Sequence, residues 1–363
     1  MTRSILQPRE GAIGADHYLP SEVGKVSWGW LPTADTPAVL AMRSGEAVTI
    51  DTVSHEGILE DQGRDPFAFF GRHGVERGHV LRDAAALAAE HPPRDATSGP
   101  HVVTGPIRVE GAQPGDVLKV DFLALVPRVG YGVISSRHGR GALPGEMPAT
   151  PGPVSLFCAV DSSNGASSGA LFGTLDGGAG RLLRFPLAPF LGMVGVTPAG
   201  PERLHSVPPG PFGGNLDVRD LVVGTSLYLP VQIPGAGFFV GDPHYAQGHG
   251  EVALTALEAP LRATLRVSLL PADQSRALLG ALDRPFAETP EHWIVLGLHR
   301  DLDEAFRAAT REALRALREL RGVPPEIAYA YLSAAADFVV TQVVDQVKGV
   351  HCLIRKADFA AWV

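Results

Sequence analysis

The sequence predicts a β-rich α+β fold: a β-sandwich or barrel body over 1–270, with a smaller C-terminal α+β unit of two helices and two or more strands over 271–363. Two observations carry this expectation. A turn glycine leading into alternating apolar residues recurs at SGEAVTIDT (44–52), PGDVLKVDFLAL (114–125) and VGTSLYLPV (223–231). Short strands punctuated by glycine and proline in this way are the pattern of sandwiches and barrels. The last quarter then changes character, because DLDEAFRAATREALRALRELRG (301–322) has helical rather than strand periodicity. A chain of 363 residues is long enough for one large domain or two closely joined ones with a substantial core.

Taken in order, PAVLAMRSGEAVTIDTVS (37–54) gives two short β runs around Ser44-Gly45-Glu46, which turn chemistry predicts to be a hairpin. Short helices are expected around Pro66 to His73 and Val80 to Glu90 on a loop-like excursion. His101 immediately precedes a strand and stands where it could reach a site at that strand's end. Residues 131–180 are rich in Gly, Ser and Pro and read as long surface loops. From Ser226 to Ile233 and from Gly237 to Val240, two β runs flank Pro234-Gly235 and read as an antiparallel pair. In the C-terminal unit, Asp301 and Glu304 have capping-box spacing, Leu302, Phe306, Ala309, Ala313, Leu317 and Leu320 form an apolar stripe, and Asp303 is spaced to pair with Arg307. A second helix starts near Pro325, and FVVTQVV and VHCLI return to strand.

Composition excludes some classes of function. The net charge is −8 and the chain has only four lysines (Lys25, Lys119, Lys348, Lys356), so binding to a phosphate backbone is not expected. No run of eighteen apolar residues occurs and the first sixteen residues hold no apolar leader core, so no membrane association is expected. Cys158 and Cys352 sit singly in apolar runs, which fits buried thiols in a reducing cytoplasm.

Chemistry concentrates between Pro208 and Glu251. Gly213, Gly214, Asn215 and Asp217 precede the proposed strand pair, and Asp242, His244, Gln247, His249 and Glu251 follow it. A hairpin between the two clusters would merge them into one site. Asp217, His244 and Glu251 are of the residue types that hold a zinc or similar divalent ion with a position left for water. GASSG (165–169) also matches G-x-S-x-G, but Ser167 lacks the strand before and helix after that a nucleophile elbow needs, and no lysine lies between Lys25 and Lys119 to act as its base. Ser167 is therefore expected in a loop, and a serine amidase is the weaker alternative.

GGNLDVRDL, SLYLPVQIPGA and GDPHYAQGHGEV resemble blocks of the acetamidase/formamidase family. The resemblance extends to 102–120, 186–198 and 341–354, in the family's order. It implies a β-rich, metal-associated homo-oligomer, dimer or larger, that hydrolyses a short linear amide or a lactam to a carboxylate and ammonia or amine. Asp217 and His244 are then expected as ligands of a divalent metal, zinc first. Glu251 is expected to move protons, with His249 as a second catalytic group, and Asn215, His55 and His101 to bind substrate. Two positions depart from the family pattern: Phe212 stands where GPHGGN has histidine, and His249 stands where QGDGE has an acid. The early strand also differs, since the family places an acid near 54 and this chain reads Ser54-His55-Glu56. His55 is expected to replace the ligand missing at Phe212. These departures motivate the alternative of a catalytically silent small-molecule binding protein.

Overall fold

The computed structural model describes residues 5–95, 97–137, 139–161 and 171–362. Two large open sheets pack face to face. The first runs His17–Leu19, Ala47–Asp51, Leu261–Leu270, Val117–Pro127, Ser226–Pro230, Phe286–Glu288, His292–His299, Lys348–Arg355, Asp337–Gln342. The second runs Leu182–Pro186, Phe172–Asp176, Val154–Asp161, Tyr131–Ser136, Leu257–Glu258, Phe238–Ala246, Phe190–Val196, Gly213–Asn215, with Val102–Val109 branching from Phe238–Ala246 and pairing Val26–Trp28 and Leu40–Met42. Neither strand order closes on itself, so the body is a sandwich rather than a barrel. Ile50, Val120, Phe122, Leu229 and Leu265 of the first sheet share one buried cluster with Val103, Ile107, Val194, Phe238 and Val240 of the second. Apolar side chains from two inner faces removed from water in this way supply the main drive to fold.

Both hairpins expected from turn chemistry are corrected. Ser226–Pro230 pairs with Val117–Pro127 and Phe286–Glu288 in the first sheet, whereas Phe238–Ala246 belongs to the second. Pro234-Gly235 thus carries the chain across the sandwich. Both runs are buried almost throughout, and a run buried on both faces has no alternation to reveal which sheet it joins. The same holds near the N-terminus, where Leu40–Met42 pairs parallel with Val102–Val109 and Ala47–Asp51 lies in the opposite sheet between His17–Leu19 and Leu261–Leu270. The turn itself forms, with Glu46 N–H donating to Arg43 O at 3.2 Å. The expected loops over 131–180 are corrected in part: Tyr131–Ser136, Val154–Asp161 and Phe172–Asp176 form an antiparallel meander. Ser167 lies outside the described residues.

The expected helices form at Pro66–Gly71, Arg82–Glu90, Leu302–Arg321 and Pro325–Ala335, and the expected two-helix C-terminal unit is corrected by a third helix, Ala272–Leu279. Asp301 caps Leu302–Arg321 by accepting from Glu304 N–H at 3.0 Å, and Gly322 ends it at φ 64°. Arg307 pairs with Glu304 rather than Asp303. Buried Ala305, Ala309 and Ala313 hold this helix against the C-terminal strands, which extend the first sheet and bring Asp345 and His351 to the rest of the molecule.

Candidate metal and active site

Phe190–Val196 is the axis of the site. On one side Met193 pairs with Asn215; on the other Phe190 pairs with His244 and Met193 with Gly241. Gly192 O accepts from both Leu216 N–H at 2.9 Å and Asp217 N–H at 3.1 Å. Asp217 and His244 therefore meet, at 3.9 Å, through a shared middle strand and not through the expected hairpin. A Cβ on Gly192 would collide with Asp217 Oδ1 and come within 2.7 Å of His244 Cε1 and 2.8 Å of Asp242 Oδ2, so only glycine leaves room for the three side chains. Val103 opposite Gly241 brings His101 to Asp242, and Glu258 lies opposite His244. His55 follows the end of Ala47–Asp51. Asp217, Asp242 and Glu251 all adopt positive φ, at 54°, 48° and 47°. For residues other than glycine this conformation is uncommon and gathers at functional sites.

The cluster is buried. Asp242 is its hub: Oδ2 lies 3.0 Å from His244 Nε2, and Oδ1 lies 3.6 Å from His55 Nδ1 and 3.7 Å from His101 Nε2. His244 Nε2 is also 3.0 Å from Glu258 Oε1. Behind His55, Nε2 faces Glu56 Oε1 at 3.4 Å, and Glu56 is held by Arg137 at 2.7 Å, by Ser135 Oγ at 2.7 Å and by Gln62. Behind His101, Nδ1 contacts Ser206 Oγ at 3.1 Å. Each imidazole is thus fixed from the rear with its other nitrogen turned toward Asp242. His55 Nδ1, Asp242 Oδ1, Asp217 Oδ1, Glu251 Oε2 and Glu258 Oε2 are buried without a hydrogen-bond partner. Leaving so many polar atoms dry and unpaired is costly unless a cation completes them.

Protonation follows burial and charge. Burial opposes charge on His55, but the Asp242 and Glu56 carboxylates outweigh it and raise its pKa to about 9, so an ion binding at Nδ1 would displace a proton. Burial lowers His101 to about 4, keeping it neutral and able to ligate. Burial would raise Asp242, yet the charge on His244 holds it well below the usual carboxylate range. Glu251 is pushed well above its ordinary value by burial, then by Asp345 and Asp242. Burial likewise raises Asp345 to about 7.

Three overlapping sets here have ligand atoms within 4.8 Å of one another: His55, His101 and Asp242; Asp217, His244 and Glu251; Asp242, His244 and Glu258. The first best fits a transition ion, because two imidazoles and a carboxylate are oriented by outer contacts as ligands commonly are. It borders a cavity of about 740 Å³ that Arg137, Asn215, Glu251 and Asp345 also line. Asn215 bonds Asp217 through Nδ2 at 2.9 Å and leaves Oδ1 unpaired. His249 is not brought into this cluster; it lies beside His351, with ring centroids 5.4 Å apart. Phe212 packs into the hydrophobic core. Sequence reasoning placed Asp242 in the polar cluster without a role of its own and did not include Glu258. The Gly-Asp-Pro-His spacing was the available signal for the first, and no local pattern marked the second.

Residues 188–354 match the model of the Acetamidase/Formamidase family. The chain is similar to an acetamidase of Mycolicibacterium smegmatis, 29% identical over 44% of this chain and 51% of that protein, and to a formamidase of Methylophilus methylotrophus, 28% identical over 47% of this chain and 52% of that protein. It spans about half the length of these curated relatives. Its structure is similar to that of an acetamidase from Bacillus halodurans, with a TM-score of 0.72 and 25% identity, covering 95% of this chain and 99% of the other.

Proposed function

Taking the segment 188–354 as acetamidase/formamidase family sequence, we propose that this chain is a metal-dependent hydrolase that cleaves the C–N bond of a short linear amide or lactam to give a carboxylate and ammonia or amine. His55, His101 and Asp242 would hold the divalent ion, zinc first by their nitrogen-rich chemistry. Such an ion, when bound, supplies a water nucleophile near neutral pH and polarises a carbonyl. The observation carrying the reading is the convergence of His55 Nδ1, His101 Nε2 and Asp242 Oδ1, with both imidazoles held from behind, on the wall of a cavity.

The chain's own residues supply the rest. An amide nitrogen leaves only once protonated, so a group must take the proton of water and deliver it to nitrogen. Glu251 lines the cavity, and its dry, anion-rich surroundings make it bind a proton more tightly than an ordinary glutamate. Asn215 Oδ1 offers an acceptor for the N–H of a primary amide. Asp217 and His244, expected as ligands, take a framing role in this reading: His244, between Asp242 and Glu258, aims the Asp242 carboxylate. With Phe212 in the core and His55 at the site, the departure at 212 does not empty the ligand set, which favours the enzyme over the silent binding protein.

As parts of the same reading we propose a homo-oligomer and a cytoplasmic setting. The free, buried Cys158 and Cys352 suit a reducing compartment, and no helix among the described residues is long and apolar enough to cross a membrane. The test is ammonia release from formamide, acetamide and larger linear amides, with ring opening of lactams, before chelation, after it, and after zinc is restored. Activity that follows the metal is expected. A metal-loaded protein inert across the panel would overturn the hydrolase in favour of the binding protein.

A further inference from the structure

A second group of ligand-type side chains lies outside the cavity cluster. Asp220 Oδ2 is 3.2 Å from His351 Nε2, and Asp220, His249 and His351 all offer ligand atoms within 4.8 Å of one another. His351 is fully buried, and its Nδ1 lies 2.8 Å from Thr341 Oγ1, which fixes the ring and turns Nε2 toward Asp220. Despite the short approach, neither His351 Nε2 nor Asp220 Oδ2 has a hydrogen-bond partner. Two atoms at this separation but misaligned for a hydrogen bond stand as two ligands do around a tetrahedral ion, where bonds of ~2.0–2.2 Å put neighbouring ligand atoms roughly 3.3 Å apart.

We propose that Asp220, His249 and His351 form a second site for a divalent transition ion, separate from the one in the large cavity. Two imidazoles and one carboxylate suit zinc or a neighbouring borderline ion. The exposed edge of His249 leaves a position for water, as this residue faces a second cavity of about 420 Å³. The site joins three segments distant in sequence: the turn after Asp217, the glycine turn bearing His249, and the strand Lys348–Arg355. The glycine turn already touches Asp337–Gln342, the strand paired with Lys348–Arg355, Gly250 N–H donating to Thr341 O at 3.0 Å and Val343 N–H, just past that strand, to Gly250 O at 3.2 Å. Glu251 follows directly and lines both cavities. An ion here clamps the turn that positions Glu251 onto the C-terminal strands.

The inference does not rest on the amide-hydrolase reading. Its test is zinc stoichiometry by elemental analysis after desalting, together with the rise in Tm on adding zinc, for the wild type, His249→Gln and Asp220→Asn. Both replaced residues are at least partly exposed, and circular dichroism verifies that each variant is folded. Each variant is expected to bind one equivalent fewer than the wild type and to lose part of the zinc-induced rise. His101→Ala serves as the control for the cavity site and is expected to keep the equivalent that His249→Gln loses. Folded His249→Gln and Asp220→Asn binding as much zinc as the wild type, or a wild type that binds none, would overturn the second site. Loss in these variants with no change in His101→Ala supports it while counting against the cavity ion alone.

Discussion

At the scale of single residues, Glu251 is proposed to carry the proton and Glu56 to aim His55. Glu251→Gln keeps shape and burial but carries no proton to nitrogen, so the folded, metal-loaded variant is expected to hydrolyse amides slower by a factor on the order of 100 or more. Metal content measured beside the rate separates this from loss of a ligand. Glu56→Gln leaves His55 in place and removes the charge behind its Nε2. Metal affinity is expected to fall by about 10–100-fold, as when an outer partner of a ligand is altered, read by competition with a chelator. Legibility at this scale was uneven. Asp217 and Glu251 follow closely on glycines and His244 lies in the strand Phe238–Ala246, and the structure gathers the three. Asp242 was legible as one polar group beside His244; its place as the hub, at a φ of 48°, follows only from the neighbouring strands. Glu258 lies in an apolar stretch, ALEAPL, where nothing local distinguishes a ligand from an edge carboxylate.

At the scale of elements, the middle strand Phe190–Val196 makes the site by pairing on both sides. Gly192→Ala places a methyl among Asp217, Asp242 and His244, and its expected effects are a loss of stability of ~1–3 kcal/mol and a fall in metal content. A urea titration and elemental analysis on the same preparation check both. A second junction, far from the site, is Glu288, which accepts from Tyr228 Oη at 2.6 Å and Lys356 Nζ at 2.7 Å. Burial would raise the Glu288 carboxyl, but Lys356 and Tyr228 outweigh it and hold its pKa below the ordinary value. The folded state thus favours the ionised form. Its contribution is present above the unfolded pKa, about 4.3, and is lost as pH falls through the lower folded value. The difference in urea midpoint between wild type and Glu288→Gln is expected to be largest near neutrality and to shrink in acid. The helices at Leu302–Arg321 and Pro325–Ala335 were legible from period and caps, because Asp301, Glu304 and Gly322 act locally, whereas the helix Ala272–Leu279 and strands such as Leu261–Leu270 and His292–His299 were not read. Sheet membership was not legible, since Ser226–Pro230 and Phe238–Ala246 are both buried almost throughout and their partners lie far away in sequence.

At the scale of the whole molecule, the sandwich was predictable from recurring strand phrases, but what locks its parts together was not. Arg128 is fully buried and donates to Asp83 Oδ2 at 2.7 Å, Thr52 O at 2.8 Å and Leu6 O at 3.1 Å. It joins the N-terminal segment, the strand end that leads to His55, and the helix Arg82–Glu90. Arg128→Met leaves buried Asp83 without its cation, while Asp51 keeps Arg262, and a loss of ~3–5 kcal/mol is expected, read as a lowered denaturation midpoint. Nothing in the local sequence around 128 announces this, because the partners lie at positions 6, 51, 52 and 83. The metal centre proposed at His55, His101 and Asp242, beside Glu251, is open to anomalous diffraction at the zinc edge from crystals of the zinc-loaded protein. A peak at bonding distance, ~2.0–2.2 Å, from His55 Nδ1, His101 Nε2 and Asp242 Oδ1 is expected. No peak there, or a cavity peak held instead by Asp217, His244 and Glu251, would contradict it.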